Sequence, residues 1–156
     1  MPRRDAPTPL PPLALEQHLC FALYATSLAM TKLYKPVLEP LGLTYPQYLV
    51  MVVLWEGDGL TVSQLGERLG LDSGTLTPLL KRLESADLVQ RLRDAADERR
   101  VLLRLTAAGR ALKEPATAVP RALAAASGCT LDELVDLKTK LQTLRQRLNE
   151  SSTRAA

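Results

Sequence analysis

Two cysteines and four tyrosines are the residues of this 156-residue chain with the most chemistry to offer. Cys20 falls in the early turns of a predicted first helix. A cysteine is a nucleophile only as its thiolate, and a free thiol with a pKa of about 8.5 is mostly protonated at neutral pH. A place near a helix start lowers that value. Phenol O–H groups that donate to the sulfur lower it further, because they stabilise the charged form. Tyr24 follows Cys20 by one helical turn. Tyr34 follows it by fourteen residues, roughly 21 Å along a straight helix at about 1.5 Å per residue. Within one chain Cys20 and Tyr34 are out of reach; across an antiparallel pair of first helices they can meet. The plainer reading makes Cys20 a small buried hydrophobe and each tyrosine a packing residue with one satisfied hydroxyl. All six aromatic residues, Phe21, Tyr24, Tyr34, Tyr45, Tyr48 and Trp55, lie in this one stretch. That clustering fits a local aromatic core as well as a thiol ringed by phenols. Tyr48, Phe21 and Trp55 are assigned to packing.

Composition removes other chemistries. With 46% apolar residues, the chain can bury the core of one domain. No apolar run approaches the roughly 20 residues that a bilayer span needs, so no membrane partner is expected. The opening MPRRDAPTPLPP has two arginines and then prolines, without the apolar stretch of a secretory signal. It reads as a disordered arm over 1–12 of a cytoplasmic protein. Two cysteines without CxxC spacing make neither a disulfide scaffold nor a zinc site, and His18 is the only histidine. No metal and no cofactor are expected. A hydrolase triad has no second histidine to draw on. The net charge of +3 is compatible with nucleic acid without requiring it.

The elements that must position these residues follow from periodicity and punctuation. Leu15, Leu19, Ala22, Leu23, Thr26, Met30 and Leu33 recur at helical steps, predicting a helix over 13–34 that Pro36 and Pro40 end. Thr44 caps a second helix with Pro46 in its first turn, and Gly57 and Gly59 close it. This helix is apolar nearly all round through 49–55, so it is predicted to be buried. Thr61 and Gln64 have capping-box spacing for a short third helix that Gly70 stops. Asp72 or Ser73 caps a fourth over 73–86, with Pro78 inside it against propensity. Period-two runs at 88–93 and 100–105, joined by the polar DAADER, predict a β-hairpin. Thr106 starts a further helix that Pro115 and Pro120 bend or break. After the Gly128–Cys129 joint, Thr130 and Glu133 form another capping box. They open a last helix to about 149, striped by Leu131, Leu134, Leu137, Leu141, Leu144 and Leu148. A frayed tail is expected over 151–156. The fold class is mainly α with a small β-hairpin, or α+β.

Two short helices joined by a tight turn and followed by a hairpin make a winged helix-turn-helix. Its second helix carries the small hydroxyls Ser73, Thr75 and Thr77 at a slim start suited to a major groove. Asp72 heads that helix and is counted with the candidate interface. Lys81 and Arg82 follow, placed for phosphates. Arg91, Arg93, Arg99, Arg100 and Arg104 cluster on the hairpin, and an arginine at its tip suits a narrow minor groove. Asp97, two residues before Arg99, is placed to hold its guanidinium. Residues 81–104 hold seven basic and five acidic residues, only two more positive than negative. On charge alone, a solvated surface explains the run. The order of elements favours double-stranded DNA.

The segment LTVSQLGERLGLDSGTLTPLLKRLESADLVQRLRDAADERRVLLRLTAAG resembles the MarR family of bacterial transcription regulators, with its DERR wing and the LTAAG that follows. Upstream, LCFALYATSLAMTKLYKPVLEPLGLTYPQYLVMVVLWE resembles the organic-hydroperoxide-sensing (OhrR) branch. The likeness spans about 13–150 as one domain. It implies a homodimer held by helices within 13–45 and 106–150, with the DNA reader at 60–105 between them. The leucine stripe and the apolar first helix independently favour such pairing. The resemblance implies a repressor on a pseudo-palindromic operator, with no enzymatic activity. It implies that Tyr34 and Tyr45 of one subunit donate to the Cys20 thiolate of the other, with Tyr24 beside it. It also implies a two-cysteine sensor. An organic hydroperoxide oxidises Cys20, Cys129 of the partner resolves the product as an intersubunit disulfide, and the operator is released. Leu19, Phe21 and Leu23 around Cys20 favour a lipophilic peroxide. Two other readings stay open: the same fold gated by a small ligand, and a thiol peroxidase. The absence of a βαβ pattern and the presence of a wing count against the peroxidase.

Overall fold

The structure, a computed structural model, describes residues 11–155, so the expected arm over 1–12 lies outside the described residues except for its last two. A single 3-10 turn at Leu15–Gln17 precedes the first helix, α1, Leu19–Leu38. The chain is extended at His18 between them (φ −85°, ψ 113°), so the first helix starts later than the leucine spacing predicted. It also ends later. Pro36 removes one rung but does not stop the helix, because two residues on Leu38 is buried to 1% exposure and its packing outweighs the lost bond. A 3-10 turn, Glu39–Leu41, and left-handed Gly42 (φ 66°) then reverse the chain.

Helix α2, Tyr45–Glu56, opens on a complete capping box: the Thr44 amide donates to Gln47 Oε1 at 2.9 Å and the Gln47 amide to Thr44 Oγ1 at 3.4 Å. Tyr48, Val50, Met51, Val53 and Leu54 are buried, as a helix apolar all round requires. A two-residue strand β1, Leu60–Thr61, precedes α3, Val62–Leu69, which has the predicted Thr61–Gln64 box. Helix α4, Ser73–Ser85, is capped by Asp72, whose Oδ1 accepts the Thr75 amide at 2.8 Å. It tolerates Pro78 because Leu76, Leu79, Leu80 and Leu83 all drive into the core.

Strands β2, Val89–Arg93, and β3, Val101–Leu105, form the hairpin, with Arg91 opposite Leu103. The sheet has three strands in the order β1-β3-β2. Strand β1 was invisible in the sequence because two residues are too few for a period. The helical stretch after Thr106 breaks into three pieces, α5 (Ala107–Ala111), α6 (Lys113–Ala116) and α7 (Val119–Ser127). Pro115 lies in the second and Pro120 in the first turn of the third. Helix α8, Leu131–Ala155, begins at the Thr130–Glu133 box. It runs past the expected end near 149 into the segment expected to fray. Ser151, Ser152 and Thr153 donate their hydroxyls to carbonyls four residues back. No single helix among the described residues is long and apolar enough to cross a membrane.

The core gathers Leu38, Met51, Leu54, Leu65, Leu76, Leu80, Leu83 and Leu103, all at most 1% exposed. By contrast Leu19, Phe21, Tyr24 and Leu28 on α1, and Leu131, Val135, Leu137, Leu141 and Leu148 on α8, stand exposed. Phe21, assigned to packing from the sequence, is therefore on the surface of the single chain.

One glycine fixes the approach of α5 to the wing. A Cβ on Gly109 would run into the Leu88 carbonyl oxygen, and backbone cannot yield as a flexible side chain can. Gly109→Ala is therefore expected to destabilise the fold by about 3 kcal/mol, read from urea unfolding. An unchanged midpoint contradicts the contact.

Candidate nucleic-acid interface and thiol site

Helices α3 and α4 meet across a turn of Gly70, Leu71 and Asp72, with Gly70 in the left-handed region (φ 66°). Ser73, Thr75, Lys81 and Arg82 project from α4 and are exposed. Thr77 is half-buried, and its hydroxyl donates to the Ser73 carbonyl at 2.7 Å, inside the helix. Asp72 faces the helix start, where the Thr75 backbone N–H holds its carboxyl below the ordinary 3.8; the Thr75 hydroxyl and the Gly74 amide act in the same direction.

The wing tip is shaped by aspartates. The Asp94 amide donates to the Arg100 carbonyl and the Arg100 amide to the Asp97 carbonyl, each at 2.9 Å. Asp97 Oδ1 accepts the backbone N–H of Arg99 at 3.1 Å. This corrects the expectation that Asp97 grips the Arg99 guanidinium: a short carboxylate two residues upstream closes an Asx turn instead. The Arg99 side chain is left exposed. Arg93 reaches the Glu98 carbonyl at 3.5 Å, and Arg100 lies 3.8 Å from Asp94 in an exposed pair that contributes little. Arg91, expected among the free arginines, is held within the protein by Glu84 at 2.8 Å. Arg104 lies against Gly59 rather than at the tip.

Sequence reasoning passed over two positions. Asp58 Oδ1 accepts the amides of Gly59 at 2.9 Å and Leu105 at 3.0 Å, tying the end of α2 to β3. The Asp-Gly pair was the available signal. Glu84 gave none, because its partner lies across the turn into the wing.

Both cysteines are free and exposed. Cys20 occupies the first turn of α1. Cys129 follows Gly128 (φ 70°), the left-handed end of α7; its amide donates to Ser127 Oγ at 3.2 Å and its thiol faces the Ser127 carbonyl at 3.7 Å. Tyr24 is exposed, and among the described residues no hydrogen bond joins it to Cys20. Tyr34 shares α1 with Cys20, about 21 Å along it. Its ring packs on Tyr45 at 4.4 Å and Tyr48 at 5.9 Å, and Tyr48 meets Trp55 edge-on at 6.5 Å. Burial, with smaller contributions from neighbouring Tyr45 and Tyr48, pushes the Tyr34 phenol up to about 12. Burial also raises Tyr45 and Tyr48. All three are thus kept as O–H donors. Tyr45 lines two grooves. One, of about 490 Å³, is formed with Lys32, Lys35, Leu38, Leu43 and Pro46. The other, of about 460 Å³, is formed with Met30 and the α8 leucines Leu134, Leu137 and Leu141.

Residues 32–115 match the family described as transcriptional regulator SarA/Rot. The chain is 49% identical over 140 residues to the organic hydroperoxide resistance transcriptional regulator of Bacillus subtilis, covering 90% of this chain and 95% of that protein. Among solved structures, reduced AbfR of Staphylococcus epidermidis bound to DNA superposes with a TM-score of 0.74 at 36% identity, covering 87% of this chain and 93% of that one. The disulfide form of AbfR superposes less well, with a TM-score of 0.59 at 38% identity, over 83% and 91%.

The tyrosine cluster makes a pH prediction. A phenol held neutral in the fold contributes stability that is fully present below the ordinary value of 10.0 and is lost as pH rises toward about 12. Absorbance titration of phenolate formation is expected to show a late step near pH 12 that Tyr34→Phe abolishes. A wild-type chain with every phenol titrating near 10 contradicts this.

Proposed function

The chain belongs to the MarR/SarA family of transcriptional regulators, alongside the organic-hydroperoxide-resistance regulators, and from that premise we propose that it is a dimeric thiol-based repressor released by organic hydroperoxides. One observation carries the reading. The free thiol of Cys20 lies at the start of α1, while Tyr34, paired with Tyr45 of α2, lies near its other end, so one copy cannot unite them. A second copy can, with its Cys20 end laid beside the Tyr45 grooves. The exposed apolar residues of α1 and α8 supply the area for that pairing. Helices within 13–45 and 106–150 then hold the dimer, and 60–105 reads double-stranded DNA in the cytoplasm.

In this reading, Ser73, Thr75, Lys81 and Arg82 enter a major groove while Arg93, Arg99 and Arg100 reach a flanking minor groove. Thr77 lies on the same face. Asp72, Asp97 and Arg91 support these elements from within. Two copies engage half-sites of a pseudo-palindrome about 34 Å apart. The Cys20 thiolate attacks the peroxide, forming an S–O bond as the O–O bond breaks, and an alcohol leaves. Cys129 of the partner then attacks the Cys20 sulfenic acid; an S–S bond forms and water leaves. Two thiols are oxidised and one peroxide is reduced. A bridge needs α-carbons within about 7 Å, so its closure moves the helices that carry the two cysteines. In AbfR the disulfide form departs from the shape shared by this chain and the reduced, DNA-bound form, which supports a change of shape on oxidation. A second reading has the apolar groove beside Tyr45, lined by Leu38, Leu43 and Pro46 with Lys32, Lys35 and Glu39, hold a small ligand that gates the same fold.

A gel shift on the upstream DNA of the neighbouring gene separates them. The reduced protein is expected to bind and to release on addition of cumene hydroperoxide, while Cys20→Ser binds and stays bound. Release of Cys20→Ser by peroxide contradicts the thiol mechanism. On non-reducing gels, peroxide is expected to give a covalent dimer that Cys129→Ser does not form; a monomer-sized oxidised band contradicts the intersubunit bridge.

A further inference from the structure

The Glu84–Arg91 contact joins the last turn of α4 to the middle of β2. Glu84 Oε2 accepts the Arg91 Nε–H at 2.8 Å, and Oε1 accepts the Arg91 backbone N–H at 3.2 Å. One carboxylate therefore holds both the side chain and the main chain of one wing residue. Strand β2 is at the edge of the sheet, so an outward amide there has no strand to bond. The Glu84 carboxylate takes the place that a fourth strand would fill. Each side chain is only 30% exposed, which makes this pair better shielded than the Arg68–Glu56 and Lys140–Asp136 pairs on the surface.

The intervening turn is set as well. Asp87 adopts a left-handed φ of 57°, the Leu88 amide donates to the Leu83 carbonyl at 3.0 Å and the Asp87 amide to the Glu84 carbonyl at 2.9 Å. Those bonds fix where the strand starts. The Glu84 carboxylate adds a hold three residues further on, at Arg91.

We propose that Glu84 is a positioning residue for DNA binding: through Arg91 it sets the angle of the wing against the recognition helix. Arg91 itself makes no phosphate contact. The proposal rests on the DNA-binding reading above. It runs against simple electrostatics, since taking a carboxylate away from a DNA-binding face strengthens affinity when that carboxylate only repels phosphates.

The test uses the reduced full-length protein and a duplex that the wild type selects from a random-sequence pool. Failure of the wild type to select any duplex overturns the DNA-binding reading itself. With a selected duplex in hand, Glu84→Ala is expected to weaken binding about tenfold, within the usual range for coupled sites. Arg91→Ala is expected to match it, and the double variant to be no weaker than either single one. Hydroxyl-radical footprints are expected to lose the flanking minor-groove protection while the central protection stays. Glu84→Gln, which keeps an acceptor for the Arg91 amide, is expected to lose less. The exchanged pair Glu84→Arg with Arg91→Glu is expected to recover part of the loss. Unfolding midpoints at the assay temperature show that each variant is folded. Equal or tighter binding by folded Glu84→Ala overturns the proposal, as does additive weakening in the double variant.

Discussion

The backbone of Gly109 presses against the Leu88 carbonyl so closely that no other residue fits there. Three parts of the fold converge on that contact. Thr106 donates its hydroxyl to the Asp87 carbonyl and its amide to the Leu88 carbonyl, and Thr106 Oγ1 accepts the Gly109 amide at 2.9 Å. Trp55, at the end of α2, donates its indole N–H to the Gly109 carbonyl at 2.9 Å. The turn from α4 into the wing, the start of α5 and the end of α2 are thereby locked together. Trp55 is also the last ring of the stack that begins at Tyr34 and Tyr45. The phenols of Tyr34 and Tyr45 and the root of the wing thus belong to one continuous path of ring and backbone contacts.

Local rules carried much of the fold. The caps at Thr44, Thr61, Asp72 and Thr130 all depend on side chains reaching amides three residues ahead, and each was readable from spacing. The hairpin strands were readable from alternation. Features decided at long range were not. Pro36 stays inside α1, where Leu38 two residues on is buried, and β1 exists only through its pairing with β3. Arg91 is charged and lies on the wing, so composition grouped it with the DNA-facing arginines. Its partner Glu84 stands seven residues back across a turn, where no periodicity links them.

The thiol site was legible in its parts rather than as an assembly. The sequence alone separated Cys20 from Tyr34 by helical distance, and both lie on the single helix α1 as that argument required. Ring contacts add what spacing could not give: Tyr48 and Trp55 belong to the same cluster as Tyr34 and Tyr45. Phe21, next to Cys20 in sequence, and Tyr24, one helical turn on, are exposed instead. In the proposed dimer they meet the other copy rather than their own core. That division between an inward cluster and an outward thiol end is the arrangement expected of a site shared between subunits.

The buried phenols have one further consequence. Tyr34 keeps its proton to about pH 12, and Tyr45 and Tyr48 are shifted the same way. The ordinary phenol value of 10.0 already lies above cellular pH, so swings in cellular acidity leave the hydrogen-bond donors of the cluster untouched, and the upward shifts widen that margin. In the proposed sensor, donors of this kind would add no false alarm when a cell's pH drifts without any oxidant present.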